Sequence, residues 1–120
     1  MSNTIAITVT ETGGLDRAMD SRFGRSPAFL LVDAESGDVV AELENDATEH
    51  AHGAGTASAA TMKEHGVHAV VSGRFGPKAY EALEALGVEM RLAPPGLTAR
   101  EALARYQAGE LVRMRVETFR

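Results

Sequence analysis

Short apolar runs alternate along this chain with polar stretches that contain glycine, which is typical of a mixed α/β protein. The alternation of apolar and smaller residues from Thr4 to Thr10 predicts a first strand at the centre of a sheet. Apolar runs from Ala28 to Asp33 and from Val39 to Glu44 predict two further strands. Because only a short turn joins these two strands, we expect them to form an antiparallel hairpin.

The remainder of the chain predicts strands that alternate with helices. Glycine and proline positions divide it into a helix at 55–65, a strand at 67–72, a helix at 77–86, a strand at 88–92 and a helix at 98–108. Thr98 and Glu101 have the spacing of a capping box, which marks the start of the third helix. The alternating tail from Val112 to Glu117 fits either a sixth short strand, docked at an edge, or a frayed terminus.

This order of elements predicts a mixed sheet that is covered by helices. If the second strand is the antiparallel one, then the first, third, fourth and fifth strands all end at the same edge. Open α/β sheets bind ligands beyond the carboxyl ends of their parallel strands, where the strand order reverses. The loops expected at this edge are residues 11–27, 45–53, 73–76 and 93–97.

The loop from Glu49 to Thr56 contains two histidines one residue apart, His50 and His52, and then Gly53 and Gly55 before a helix of small residues. Glycine lets the backbone approach a ligand closely, and the first turn of a helix presents unpaired N–H groups. We therefore interpret the loop as one wall of a site for a small anion or a metal, with the two imidazoles as metal ligands. The alternative is that both imidazoles are simply solvated.

Three arginines, Arg22, Arg25 and Arg74, lie in other glycine-bearing loops that are expected at the same edge. Together they predict a local positive pocket, which suits a compact anion better than a polymer. Alternatively, they are surface charges or ion-pair partners of Asp20, Asp46 or Glu49. Phe23 and Phe75 each precede a glycine, and we interpret them as anchors that hold these loops on the core.

The composition narrows the classes of function. A chain of 120 residues with 44% hydrophobic and 24% charged residues fits one globular domain. The net charge of -5 argues against nucleic acid as a partner, and the absence of cysteine excludes thiolate-bound metal sites. Since nothing resembles a signal peptide or reaches the length of a membrane span, we expect a cytoplasmic protein with no membrane partner.

Five short motifs follow one another along the chain. They are residues 21–29, the hairpin with Asp33 and Gly37, residues 52–55, residues 73–79 and residues 96–98. In order and spacing they resemble the dinitrogenase iron-molybdenum cofactor biosynthesis domain family, over roughly residues 4–111. The resemblance implies a single domain over 1–120, with 111–120 as a C-terminal extension. It also implies a three-layer fold with a ribonuclease-H-like motif, a mixed five-stranded sheet of order 3-2-1-4-5 with strand 2 antiparallel, and about three helices.

The same resemblance implies a function. Family members act in nitrogenase cofactor assembly or hold related clusters, so we expect a non-enzymatic protein that binds or carries an iron-molybdenum or iron-sulfur type cluster. Its partners would be cluster donor and acceptor proteins, and the chain would be a monomer or a weak homodimer. The expected binding residues are Arg22, Arg25, His50, His52, Gly53, Gly55 and Arg74, with His50 and His52 as the metal ligands.

Two other functions remain open at this point. A regulatory module for a small anion or a nucleotide would use the same arginines and helix terminus, with incidental histidines. A ribonuclease-H-like phosphodiesterase would need several carboxylates at strand ends to hold two metal ions. The first strand offers none, and Asp33 is expected at the opposite edge of the sheet, so the phosphodiesterase is the weaker alternative.

Overall fold

The computed structural model describes residues 3–45 and 54–114, which form six strands and three helices. The strands are β1 (Thr4–Val9), β2 (Ala28–Asp33), β3 (Val39–Glu44), β4 (Ala69–Ser72), β5 (Glu89–Leu92) and β6 (Val112–Arg113). The helices are α1 (Ala54–Glu64), α2 (Pro77–Ala85) and α3 (Ala99–Gln107). Within the described ranges, no helix is both long enough and apolar enough to cross a membrane.

The strands form one mixed sheet of order β3-β2-β1-β4-β5-β6. β2 is antiparallel to both β1 and β3, whereas β4 is parallel to β1 and to β5. The expected order, the antiparallel second strand and the central first strand are therefore confirmed. The sheet has a sixth strand, because the alternating tail pairs with β5 through Arg91 with Arg113 and Leu92 with Val112. Residues 115–120 lie outside the described part, so the predicted extension of this strand to Glu117 is not covered.

Successive residues of each strand pack on opposite faces, which produces three layers. One face of the sheet, with Ile7 and Leu30, packs against α3. The other face, with Leu31 and Val70, packs against α1 and α2. Each fully buried side chain of this size stabilises the fold by about 1.5–3 kcal/mol, so the two cores together fix the sheet that positions its edge loops.

The fourth and fifth strands begin later than the sequence predicts. Val67 donates its N–H to the carbonyl of Met62, at 3.0 Å, and Gly66 adopts a positive φ of 67°. This is the pattern in which the apolar residue after a glycine closes the preceding helix. Val88 repeats it after Gly87. Both valines are buried, which explains why their sequence context resembles a strand.

The third helix begins as predicted, at a capping box. Thr98 accepts a hydrogen bond at its Oγ1 from the N–H of Glu101, at 3.2 Å, and donates its own N–H to the carboxylate of Glu101, at 3.0 Å. The carboxylate lies at the positive end of the helix, and these hydrogen bonds hold the pKa of Glu101 below its ordinary value. This fixed start positions the preceding loop, residues 93–97, against the end of β5.

Candidate functional site

The carboxyl ends of β1, β3, β4 and β5 share one edge of the sheet, as the strand order predicts. Between β1 and β4 the direction of the connections reverses, because β1 leads to β2 on one side and β4 leads to β5 on the other. Open α/β sheets form their ligand crevices at such a reversal point. The polar loops that follow β1 and β4 meet here.

A cleft of about 380 Å³ opens between these two loops and the loop that follows β5. It is lined by Ser21, Arg22, Gly73, Arg74, Ala93 and Pro95. Both arginines are exposed, so their guanidinium groups are available to a ligand. The fold thus brings together Arg22 and Arg74, which are far apart in sequence. Ser21 and Pro95 complete the walls, and neither was predicted as a site residue.

The two arginine loops touch at the backbone. Phe23 donates its N–H to the carbonyl of Arg74, at 3.0 Å. A β-carbon on Gly73 would lie 2.9 Å from the carbonyl oxygen of Ser21, so only glycine fits at this contact. The rings of Phe23 and Phe75 have centroids 5.4 Å apart, and both rings are buried. Their predicted role as anchors of the loops on the core is confirmed.

A buried polar network supports the first of these loops. Thr8 donates its hydroxyl to the carbonyl oxygen of Asp20, at 2.6 Å, and lies 3.0 Å from the hydroxyl of Ser72. The backbone N–H of Asp20 donates to the carbonyl of Thr8, at 2.8 Å. The carboxylate of Asp20 accepts the N–H of Arg22, at 2.8 Å. The roles of Thr8 and Ser72 were not predicted from the sequence, where the available signal was a polar residue inside an otherwise apolar strand.

The two arginines differ in their ionic environment. Arg22 lies with its Nε 3.5 Å from the carboxylate of Asp20, whose side chain is only 9% exposed. This is one of the ion pairs that the sequence offered as an alternative role. Arg74 forms no ion pair with any residue of the described ranges. The charge of Arg74 is therefore available on the cleft, whereas that of Arg22 is shared.

The N-termini of α1 and α2 lie at this edge as well. Neither helix has an acidic residue in its first turn, and Gly76 provides no side chain to cap α2. Gly55 packs against α2, since a β-carbon on it would lie 2.9 Å from the β-carbon of Ala79. Helix N-termini carry a partial positive charge, so both helices reinforce the arginines. The close contact explains why residue 55 is glycine, and its role in binding stays a prediction.

Arg25 lies beside this cleft and does not line it. Its neighbours Gly24 and Ser26 accept hydrogen bonds at their carbonyls from the side-chain amide of Asn45, at 3.3 and 2.8 Å. Ser58 of α1 in turn donates its hydroxyl to Asn45, at 3.4 Å. Asn45 immediately precedes the loop that contains the two candidate histidines. The neighbours of Arg25 are therefore held close to Asn45, the last described residue before that loop.

His50, His52 and Gly53 lie outside the described residues, so their predicted role as metal ligands and loop glycine remains a prediction from the sequence. In the part of the chain that is described, no group of three or more histidines, aspartates or glutamates could hold a metal ion. The polar side chains among the residues that line the cleft are those of Ser21, Arg22 and Arg74. Such a donor set fits an anionic group, because it supplies positive charge and hydrogen-bond donors.

The segment that leads from β1 to the cleft is held on the edge of the sheet by another carboxylate. Glu42 of β3 accepts the N–H groups of Gly13 and Gly14 at one oxygen, at 2.7 and 2.9 Å. These two hydrogen bonds lower the pKa of the Glu42 carboxyl. Farther along, Arg100 of α3 donates to Asp16 at 2.9 Å and lowers the pKa of that carboxyl. The long loop is thus attached to both β3 and α3 before it reaches Arg22.

A second, apolar groove of about 460 Å³ adjoins the cleft and shares Gly73 and Arg74 with it. Its remaining walls are Phe75, Gly76, Pro77, Leu92 and Met114. Met114 is buried and donates its N–H to the carbonyl of Met90, at 2.9 Å. The segment that carries β6 therefore completes a wall next to the candidate site.

The chain was compared with known protein families, curated proteins and solved structures. The family described as dinitrogenase iron-molybdenum cofactor matches residues 3–109. Among curated proteins, an uncharacterized protein of Methanocaldococcus jannaschii is 35% identical over 74 residues. That match covers 60% of this chain and 63% of the relative, so it spans less than two thirds of the relative's length.

Two solved structures are similar over nearly their whole length. The apo form of the orange protein from Desulfovibrio gigas is 33% identical, with a TM-score of 0.88, over 95% of this chain and 94% of that one. A NifB-like protein from Thermotoga is 30% identical, with a TM-score of 0.79, over 92% of each chain. The similarity in fold therefore extends over nearly the whole chain.

Proposed function

The chain belongs to the dinitrogenase iron-molybdenum cofactor family, and on this premise we propose that it binds or carries an anionic metal-sulfur cluster during metallocluster assembly. The cluster would be cargo of the iron-molybdenum or iron-sulfur type, and the chain would be a non-enzymatic protein. Its partners would be the proteins that donate and accept the cluster in the cytoplasm. The chain would act as a monomer or a weak homodimer.

The observation that carries this proposal is the pairing of Arg22 and Arg74 on one cleft at the point where the strand order reverses. Sulfide clusters of this type are anions, and guanidinium groups bind anions through charge and directed N–H donors. The nearby helix N-termini add positive potential without adding a covalent ligand. Binding of this kind is reversible, which suits a protein that must release its cargo.

Direct metal ligands in this proposal come from the loop after Asn45. His50 and His52 would supply imidazole nitrogens, which are exchangeable ligands for iron, copper and related metals. Without cysteine the chain has no thiolate to hold a cluster permanently. Arg25 lies on the same side as this loop, so it would complete the positive rim between the histidines and the Arg22–Arg74 cleft.

The arginine cleft equally supports the alternative of a module for a small anion or a nucleotide, because the same donors bind phosphate. The phosphodiesterase alternative has less support. Asp33 lies at the opposite edge of the sheet, where its carboxylate accepts the N–H of Glu35 at 2.8 Å in the hairpin turn. Such a carboxylate is occupied in local structure and is remote from the arginines.

Anaerobic reconstitution tests the proposal. The protein is incubated with iron, molybdate and sulfide, or with tetrathiomolybdate, and its visible spectrum is recorded after removal of free reagents. We expect a charge-transfer band that persists on the protein. The double variant His50→Ala/His52→Ala should weaken the band. The matched control is His65→Ala/His68→Ala, which removes two exposed histidines that lie outside the candidate loops.

A colourless wild-type protein, together with tight nucleotide binding by calorimetry, would favour the small-anion module instead. Magnesium-dependent phosphodiesterase activity that survives loss of both loop histidines would favour the enzyme. A band that is lost equally in both double variants would contradict the specific role of His50 and His52.

A further inference from the structure

Asp20 forms an ion pair with Arg22 of the arginine cleft, and it is buried. One carboxylate oxygen accepts the backbone N–H of Arg22, at 2.8 Å, and lies 3.5 Å from the Nε of the same residue. Its side chain is 9% exposed, whereas that of Arg22 is 51% exposed. The carboxylate is therefore enclosed by the protein, whereas about half of the Arg22 side chain is open to solvent.

The backbone of Asp20 is hydrogen-bonded to Thr8. Its N–H donates to the carbonyl of Thr8, and its own carbonyl accepts the hydroxyl of Thr8 at 2.6 Å. Two hydrogen bonds thus hold the Asp20 backbone on Thr8 in β1, and a third joins its carboxylate to the backbone N–H of Arg22. We therefore expect the carboxylate to keep this position when a ligand enters the cleft.

An anion in the cleft and the carboxylate of Asp20 both attract the guanidinium of Arg22. The carboxylate already offsets part of the Arg22 charge, at 3.5 Å from Nε, so an anion gains less from Arg22 than it would from an arginine without this partner. Arg74 has no such partner in the described ranges, so the two arginines are not equivalent. Arg74 would attract an anion without competition, whereas the attraction of Arg22 would be partly offset by the carboxylate of Asp20.

We propose that Asp20 is the internal counter-ion of Arg22. In the empty protein the Asp20 carboxylate pairs with the guanidinium, and when anionic cargo is bound it competes with that cargo for the same charge. This competition weakens cargo binding and so favours release. This inference rests on the proposed function for the identity of the cargo. Asp20 then has a positioning role, and Arg22 is the arginine of the cleft whose partner changes between Asp20 and the cargo. Removing the negative charge while keeping the hydrogen bond should therefore strengthen binding.

Asp20→Asn is the informative variant, because the asparagine oxygen can still accept the N–H of Arg22. We expect its affinity for tetrathiomolybdate, measured by titration at low salt, to rise roughly two- to fivefold, the range of an exposed ion pair. The matched control is Asp16→Asn on the same loop, whose partner is Arg100 on α3. It changes the net charge equally and should leave the affinity unchanged.

A double-mutant cycle separates pairing from general electrostatics. In an Arg22→Gln background, Asp20→Asn should have no effect on affinity. The inference is overturned if the gain persists there, or if Asp16→Asn produces the same gain. It is likewise overturned if Asp20→Asn binds no better than the wild type while its amide exchange pattern remains native.

A readout without cargo keeps this inference separate from the proposed function. In the empty protein, the ¹⁵N relaxation of the Arg22 Nε–H should report a more ordered group than in Asp20→Asn. If the wild type binds no tetrathiomolybdate, the proposed function is contradicted, while this relaxation measurement still supports or overturns the pairing. Equal mobility of the Arg22 Nε–H in both proteins would overturn it.

Discussion

At the scale of single residues, hydroxyl groups at the ends of the central strands hold the candidate site together. Thr8 ends in a hydroxyl that links the carbonyl of Asp20 to the hydroxyl of Ser72, and all three residues are buried. In the described ranges, no buried side-chain nitrogen or oxygen lacks a hydrogen-bond partner. Such complete pairing is stabilising, since an unpaired buried polar group costs about 1–3 kcal/mol.

Thr8→Val is therefore expected to lower the free energy of unfolding by about 1–3 kcal/mol, because it leaves the Asp20 carbonyl and the Ser72 hydroxyl without this partner. Urea denaturation measures the change. The control is Thr10→Val two residues later, where the hydroxyl is exposed and its bond to the Ala18 carbonyl is long, at 3.4 Å. If the two variants lose the same free energy of unfolding, the buried hydrogen bonds of Thr8 contribute no more to stability than the exposed one of Thr10.

At the scale of elements, the long connection between β1 and β2 is attached to its surroundings at several points. It bridges β1 through Val9 and Met19, and it reaches the start of α3 through Ala18 and Thr98. A third attachment is the carboxylate of Glu42, which accepts two glycine N–H groups. These attachments order a loop whose length alone indicates function or mobility.

The Glu42 attachment should depend on pH in one direction. The folded-state pKa of Glu42 is lowered by the N–H groups of Gly13 and Gly14. Its contribution to stability is thus fully present above the unfolded-state pKa of a glutamate, about 4.3, and is lost as the pH falls through the lowered folded value. Glu42→Gln should flatten the fall in stability below this pH, as measured by urea denaturation across pH 3–6.

The control for this prediction is Glu44→Gln on the same strand, which forms no hydrogen bond to the glycine pair. It should retain the wild-type acid dependence. If Glu42→Gln and the wild type lose stability in parallel as the pH falls, the attachment does not depend on the charge of the carboxylate.

At the scale of the whole molecule, apolar periodicity, one short hairpin turn and glycines after each helix were enough to predict five strands and the hairpin, because these signals are local. The strand order 3-2-1-4-5 was implied by the family resemblance, since it depends on contacts between distant segments. The two-residue β6 was only one of two options, since a strand this short depends on pairing with β5. The starts of β4 and β5 were placed too early, because buried Val67 and Val88 close helices instead.

The candidate site was predictable only in part. Arginines in glycine-bearing loops at one edge were expected to converge, and Arg22 and Arg74 do. The contact of Gly73 with Ser21 and the hydrogen bond between Thr8 and Ser72 were not predictable from one sequence. Both join residues that are distant in the chain, so they depend on tertiary packing. The histidine loop still rests on the sequence alone.

The distribution of charge follows from this arrangement. The chain carries a net charge of -5, yet the cleft between the β1 and β4 loops is lined by two arginines and no carboxylate. On the proposed function, an anion would be attracted to this edge although the net charge of the molecule is negative. Such attraction is local, so it should weaken as salt screens the arginines.

The most direct test of the account is the affinity of Arg22→Gln/Arg74→Gln for tetrathiomolybdate, measured by anaerobic titration at low salt. Removal of both guanidinium groups should weaken binding by about tenfold to a hundredfold, because two charge-assisted contacts are lost. The control Arg105→Gln, in the last turn of α3 and not among the residues that line the cleft, should bind like the wild type. Equal affinity in the double variant and the wild type would contradict the claim that this cleft holds the anion.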